Sequence, residues 1–105
     1  MTLLHAEHFL PLVGTSFALE RPAGELRLEA VDIFDTAVTE GFSLRFSGPL
    51  DRLLPQGIHP MVHGALGRLE LFLVPVLGRS ADAYTYEAIF NRLRPSARDS
   101  MTGGA

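Results

Sequence analysis

Gly67 to Leu77 reads GRLELFLVPVL, and its apolar pattern changes halfway along. In an extended chain Leu69, Leu71 and Leu73 fall on one face, and Arg68 and Glu70 fall on the other. From Phe72 onward both faces are apolar, which is typical of a strand that is covered on both sides. The segment therefore predicts a strand at the centre of a small β-fold.

Five other segments show the same period of two, which predicts six strands separated by roughly ten residues. The apolar positions of the second segment change face near Ala30, which predicts a β-bulge there. Pro60 lacks a backbone N–H, so the strand that holds it is expected at a sheet edge. The last segment also fits one face of a helix, but its aromatic residues favour a strand. These segments are 15–20, 25–34, 42–47, 58–63 and 84–93.

The summed pattern predicts a mainly β chain, with a single small antiparallel β-sandwich or barrel of about six strands. A short helix, capped by Thr2 and ending near Leu10, is expected before the first strand, with Phe9 and Leu12 covering the core. We expect one β domain over residues 1–95. Residues 96–105 have lost the apolar pattern, which predicts a disordered tail.

The composition excludes several classes of function. A formal charge of −3 over 105 residues argues against a nucleic-acid binder, which normally shows a basic face. The chain has no cysteine, which excludes thiol catalysis, disulfides and cysteine-ligated zinc. No apolar run approaches the ~20 residues of a membrane span, and no signal peptide is visible. We therefore expect a cytoplasmic protein by default, or an extracellular one only as part of an assembly.

The four histidines are the candidate metal ligands of note. His5 and His8 are spaced for one face of a helix, whereas His59 and His63 would lie roughly 13 Å apart along a strand. A site would also need a third ligand from elsewhere. Solvated or packed histidines are the simpler interpretation, and we expect no metal and no cofactor.

No reactive constellation is visible in the sequence. The carboxylates around residues 32–40 lack the spaced pattern of a calcium loop, which favours a solvated hairpin. No serine has a nucleophile-elbow context, and no glycine-rich phosphate loop occurs. The sequence therefore predicts that the chain is not an enzyme.

We expect the chain to act through contact with a protein partner or with itself, without nucleic acid, membrane insertion or a small molecule. Arginine makes fork-like contacts with carboxylates and backbone carbonyls, and the glutamine before Gly57 is not required by turn chemistry. A small-ligand-binding barrel is the alternative, although side chains should fill a six-stranded barrel. A histidine-dependent metal site or enzyme ranks third. The candidate interaction residues are Arg45, Gln56, His59, His63, Arg68, Asn91 and Arg92.

An ordered set of short motifs resembles a bacterial family of small uncharacterised domains. The resemblance covers Phe9 to Arg92 and implies no established activity. It implies an association with phage tail-collar-like fibre proteins, and hence an accessory role in an extracellular fibre or phage-tail-like assembly. The motifs are FLPLVG at 9–14, FSLRFSGP at 42–49, LPQG at 54–57, FLVP at 72–75 and YEAIFNR at 86–92.

Overall fold

A computed structural model of the chain describes residues 5–20, 23–76 and 82–93. These residues form a closed antiparallel barrel with the strand order β1-β2-β3-β6-β5-β4, preceded by one short helix. The mainly β fold is confirmed, in its barrel form. The elements are α1 (Ala6–Phe9), a 3₁₀ helix (Leu10–Leu12), β1 (Ser16–Leu19), β2 (Gly24–Asp35), β3 (Thr39–Gly48), β4 (Gly57–His63), β5 (Gly67–Val76) and β6 (Tyr84–Leu93).

The structure resolves the two uncertainties in the strand pattern. Residues 84–93 form strand β6, whose ten residues pair with β3 from Gly48↔Tyr84 to Thr39↔Leu93. The register of β2 against β3 shifts between Leu28 and Ala30, which confirms the predicted bulge. The extra residue changes which side chains face inward, because the side chains of a strand alternate strictly between its two faces.

Strand β5 differs from the prediction of a central strand covered on both sides. It pairs with β4 over seven residues, but its ladder with β6 runs only from Val74↔Glu87 to Val76↔Thr85. Leu71 and Leu73 are buried as predicted, whereas Phe72 is 51% exposed. The double apolar pattern therefore marks one core face and one apolar outer face.

The prediction that β4 lies at a sheet edge is wrong. β4 pairs with β5 from Gly57↔Leu73 to His63↔Gly67, and its other side meets β1 at Met61 and Val62. Pro60 is tolerated because its carbonyl accepts from the Glu20 N–H at 3.1 Å, on the side of the short β1 ladder. A residue's N–H and C=O point to the same side of an antiparallel strand, so the missing donor costs the long β5 ladder nothing.

The N-terminal helix is shorter than predicted, because α1 begins at Ala6 and a 3₁₀ turn follows it. The expected cap at Thr2 and the expected tail at 96–105 lie outside the described residues. Phe9 has no exposed surface, and its ring lies 5.9 Å from that of Phe42 and 6.1 Å from that of Phe90, centroid to centroid. The predicted role of Phe9 as a cover over the core is confirmed.

Side chains from β2, β3 and β6 stack in rows within the core cluster. The register sets Leu28, Phe46 and Tyr86 in one row and Val31, Leu44 and Ala88 in the next. All of these are buried except Val31, which is partly buried against the same cluster. The predicted filling of a small barrel by its own side chains is thus seen in this cluster.

Tyr86 ties the loop after β3 to the barrel. Its side chain is buried, and its hydroxyl accepts a hydrogen bond from the Leu54 N–H at 2.9 Å. Burial raises the pKa of the Tyr86 phenol above its ordinary value of 10.0, because the phenolate would lose its solvation; the hydrogen bond from Leu54 opposes this shift only in part. Folding therefore favours the protonated phenol.

The substitution Tyr86→Phe is expected to reduce the free energy of unfolding by about 1–2 kcal/mol at neutral pH, because the buried Leu54 N–H loses its acceptor. The raised pKa contributes stability that is fully present below the unfolded value of 10.0 and is lost as pH rises through the folded value. Urea unfolding from neutral to strongly alkaline pH should show a steeper alkaline loss in the natural chain than in the variant. Parallel alkaline losses would contradict this assignment.

Candidate functional site

Three strands extend beyond the closed part of the barrel and form an arm. On one side, the β1–β2 ladder ends at Arg27, and the backbone of Leu28 is hydrogen-bonded to the backbones of Gly14 and Thr15. On the other side, the β5–β6 ladder ends at Glu87. The arm therefore consists of 30–35 of β2, 39–45 of β3 and 88–93 of β6. Helix α1 packs over its inner face.

A mouth groove of about 550 Å³ lies between α1 and the inner face of the arm. Its floor holds the rings of Phe42 and Phe90, which stack with centroids 4.6 Å apart and planes 9° apart. Leu10 is 47% exposed and Ile33 is 55% exposed at its walls. The floor is therefore aromatic, and the walls leave large aliphatic surfaces open to a ligand.

Charged side chains surround this apolar floor. Glu40 is paired with Arg92, whose Nε donates to Oε1 of Glu40 at 2.6 Å. Asp35 Oδ1 accepts from the Gly41 N–H at 3.3 Å, opposite Glu40 in the β2–β3 register. Glu7 projects from α1 into the lining of the same groove. The described lining of the groove thus carries charges of both signs around its apolar floor.

The four histidines serve separate local roles. Among the described residues no group of three or more histidine and carboxylate side chains is arranged to hold a metal ion. His8 Nδ1 accepts from the His5 N–H at 3.0 Å, which closes the first turn of α1. His59 is buried, with Nε2 2.7 Å from the Pro55 carbonyl oxygen. It therefore carries its proton on Nε2 and supports the loop, and its contact with a partner stays a prediction.

His63 joins a relay of hydrogen bonds beside the 3₁₀ helix. Its Nδ1 accepts from the Ala65 N–H at 3.0 Å, so a neutral ring carries its proton on Nε2, 2.9 Å from Thr15 Oγ1. Thr15 in turn donates to the Leu12 carbonyl at 2.6 Å. The His63 ring also packs on Phe17, with centroids 4.5 Å apart. These contacts give His63 a structural role at the join between β1 and β4.

The other candidate interaction residues do not converge on one site. Arg45 lies on the outer face of the arm, 3.8 Å from Asp32, and Gln56 is exposed in the loop before β4. Only Asn91 and Arg92 line the mouth groove.

Arg68 lies on the outer side of β5 and is bound to Glu20 at 3.0 Å and to Glu70 at 3.4 Å. The hydrogen bond and the charge of Glu20 raise the pKa of Arg68, with a smaller contribution from Glu70. The guanidinium therefore stays charged. Its ion pairs place a charged side chain beside the apolar residues that are exposed on the outer side of the barrel.

Sequence reasoning missed a set of apolar residues on the outside of the barrel. Ile58 and Phe72 are directly paired across β4 and β5, and Ile89 is the first outward position of β6 beyond its ladder with β5. They are 65%, 51% and 63% exposed. We name these three residues the outer row. The sequence signal that could have revealed the outer row is an apolar residue at an outward-facing position in each of these three strands.

A family model matches residues 4–90. The chain belongs to this family, described as domain of unknown function DUF6916. No curated protein and no solved structure matches the chain. Membership of the family thus agrees with the resemblance to small uncharacterised domains, and it assigns no activity.

Within the part of the chain that the structure describes, no helix has the length and apolar character needed to span a membrane.

Proposed function

We propose that this chain is a non-catalytic interaction domain that binds another protein chain through the outer row. The observation that carries the proposal is the exposure of Ile58, Phe72 and Ile89, each more than half exposed, on the outer face of β4, β5 and β6. Ile58 and Phe72 are paired across β4 and β5, and soluble proteins rarely leave a contiguous apolar patch exposed unless it binds something. Arg68 and Glu70 supply the polar rim that usually surrounds an apolar interface centre.

A second copy of the chain is the first partner to consider. The rim of the outer row carries both signs of charge on one strand, since Arg68 and Glu70 are two residues apart on β5. In a two-fold dimer the same patch meets itself, so a patch with both signs brings opposite charges together. The formal charge of −3 is also too small to oppose the approach of two copies strongly.

The wider role that we propose is an accessory or structural component of a fibre or phage-tail-like assembly. The resemblance of the motifs to small domains found with fibre proteins supports this role. Self-association and contact with a neighbouring gene product are both compatible with it, because assemblies of this kind repeat one interface many times.

The double variant Phe72→Ser/Ile89→Ser is expected to abolish the interaction, because buried anchors of this size each contribute about 2 kcal/mol or more. Light scattering across a wide range of concentration should show a mass above the 11.5 kDa of one chain for the natural protein, and the single-chain mass for the variant. In a pull-down with the neighbouring gene products, the variant should fail to capture a partner that the natural chain captures.

Leu50→Ser/Leu53→Ser is the matched control, since these leucines are 49% and 48% exposed in the loop after β3, away from the outer row. It should associate as the natural chain does. If the natural chain remains a single chain at every concentration and captures no neighbour, the proposal is wrong. Equal effects of both double variants would also contradict it.

A further inference from the structure

We propose that β6 of one copy of the chain pairs antiparallel with β6 of a second copy, along the edge that lies beyond Glu87. This inference rests on the proposed function and deepens it, because it commits to a second copy as the partner and to a shared strand ladder as the contact. The edge concerned meets the outer row only at Ile89. The two contacts therefore predict different measurements.

One edge of β6 is unpaired along the arm. β6 pairs with β3 over all 10 of its residues, whereas its ladder with β5 stops at Val74↔Glu87. Within residues 5–20, 23–76 and 82–93, no strand pairs with this edge from Ala88 to Leu93. Such an edge presents backbone N–H and C=O groups with which another chain can pair.

The hydrogen bonds of the arm show which residues of β6 point towards β3. The Thr36 N–H donates to the Thr39 carbonyl at 2.8 Å, so these two residues point towards each other across β2 and β3. Along a strand, successive residues direct their N–H and C=O groups to alternate sides. Phe42 on β3 therefore points towards β6, and so its partner in register, Phe90, points towards β3.

The residues between them point the other way, towards the unpaired edge. They are Ile89, Asn91 and Leu93, so the edge offers three N–H and three C=O groups. The position of Pro75 agrees with this assignment. It lies opposite Tyr86, which points towards β3, and a proline has no N–H to donate at that place in the β5–β6 ladder.

Strand β6 lacks the features that usually protect an edge from pairing. Bulges, prolines and lysines are such features. Residues 84–93 contain no proline, glycine or lysine, and their register with β3 is uninterrupted. The other edge of the arm, on β2, carries the bulge between Leu28 and Ala30 and then Asp32 and Asp35. Of the two edges, that of β6 is therefore better suited to accept a strand.

The side chains of this edge match a second copy of the same edge. A two-fold axis at Asn91 would set Ile89 of each copy opposite Leu93 of the other. These two side chains alternate with the inward Phe90 ring, so they share the outer face, where they are 63% and 57% exposed. Apolar pairs across neighbouring strands stabilise a ladder, and this pair would form twice.

The neighbouring registers are less favourable. An axis at Arg92 would set the guanidinium groups of the two copies directly opposite each other, and like charges in that position destabilise a strand pair. An axis at Phe90 would set Leu93 opposite Glu87, whose backbone already belongs to the ladder with β5. The register centred on Asn91 therefore fits this edge best.

Amide hydrogen exchange tests the ladder directly. We compare a concentration at which light scattering shows two chains with one at which it shows a single chain. The N–H groups of Ile89, Asn91 and Leu93 should exchange at least about tenfold more slowly in the paired state. The N–H of Phe90, which points towards β3, and that of Ile33, at the β2 edge of the arm, should change much less. This alternation distinguishes strand pairing from contact between two faces.

Charge exchange at Asn91 tests the two-fold register. Asn91→Lys and Asn91→Glu should each weaken self-association about three- to fivefold, because like charges would face each other across the axis. In an equal mixture of the two variants, native mass spectrometry should show mixed dimers above the share expected from random pairing. Added salt should reduce this excess. The matched controls are Gln56→Lys and Gln56→Glu in the loop before β4, which is exposed as Asn91 is, and they should change neither result.

The inference is overturned if the chain associates without slower exchange at these three amides, or if mixed dimers do not exceed random pairing. The proposed function would then stand on the outer row alone. Slower exchange that persists in Ile58→Ser/Phe72→Ser would support the strand ladder and overturn the outer row. A chain that remains single at every concentration overturns this inference, and the pull-down then decides the proposed function by itself.

Discussion

The variant Phe9→Ala is expected to lose about 3–5 kcal/mol of the free energy of unfolding. Phe9 has no exposed surface and contacts the rings of Phe17, Phe42 and Phe90. It is the fully buried residue of α1, so its removal opens a cavity between the helix and the arm. A four-residue helix has almost no stability of its own, and it cannot move to fill the space without losing its other contacts.

Urea unfolding monitored by circular dichroism measures this loss as a shift of the midpoint. Phe72→Ala is the matched control at a concentration low enough that the outer row is unoccupied, because it deletes the same atoms from a ring that is half exposed. We expect the control to cost less than about 1 kcal/mol. A loss of similar size in the two variants would show that α1 does not close the barrel. If only Phe9→Ala lowers the free energy of unfolding, and the amide NMR signals of the residues that line the groove also change, the Phe9 ring stabilises both the fold and the groove.

The local alternation of side chains was sufficient to predict the strands. Leu26 and Leu28 are buried, the inner face then passes to Val31, and the register shift lies between Leu28 and Ala30 as expected. The aromatic residues of 84–93 correctly predicted a strand, because the alternation of side chains and the β-propensity of these residues both favour one. Such features depend on neighbours along the chain, so the sequence contains them directly.

The features that the sequence did not reveal depend on contacts between distant residues. The exposure of Phe72 on the outer face and the burial of His59 on the inner face both follow from closure of the barrel, in which β4 pairs with β1 and with β5. Neither pairing has a local signature. The mouth groove needs α1 to lie over the ends of three strands, so Asn91 and Arg92 could be proposed as contact residues but not assigned to a groove.

The variant Gly41→Ala is expected to destabilise the fold by about 3 kcal/mol, near the upper end of the cost of overpacking. A β-carbon at this position would lie 2.6 Å from the Phe34 ring and 2.7 Å from the Phe90 carbonyl oxygen. The ring could rotate, but the carbonyl belongs to the backbone of β6. The β3–β6 ladder would therefore have to shift beside Asn91, its partner in register. The expected result is a lower midpoint in urea unfolding.

Gly64→Ala is the control, because a β-carbon there meets no atom within 4 Å. A glycine-to-alanine change without a clash is usually neutral or slightly stabilising, since the unfolded chain loses freedom. A difference of about 2 kcal/mol or more between the two variants would therefore come from the contact at Gly41 alone. The groove supplies a second measurement, because Gly41 lies at its rim and its N–H donates to Asp35. Shifts of the groove amides in Gly41→Ala at low temperature, where the variant is folded, would show that the close approach of β3 to β6 shapes the groove. Equal stability of the two variants would show that β6 moves away at little cost.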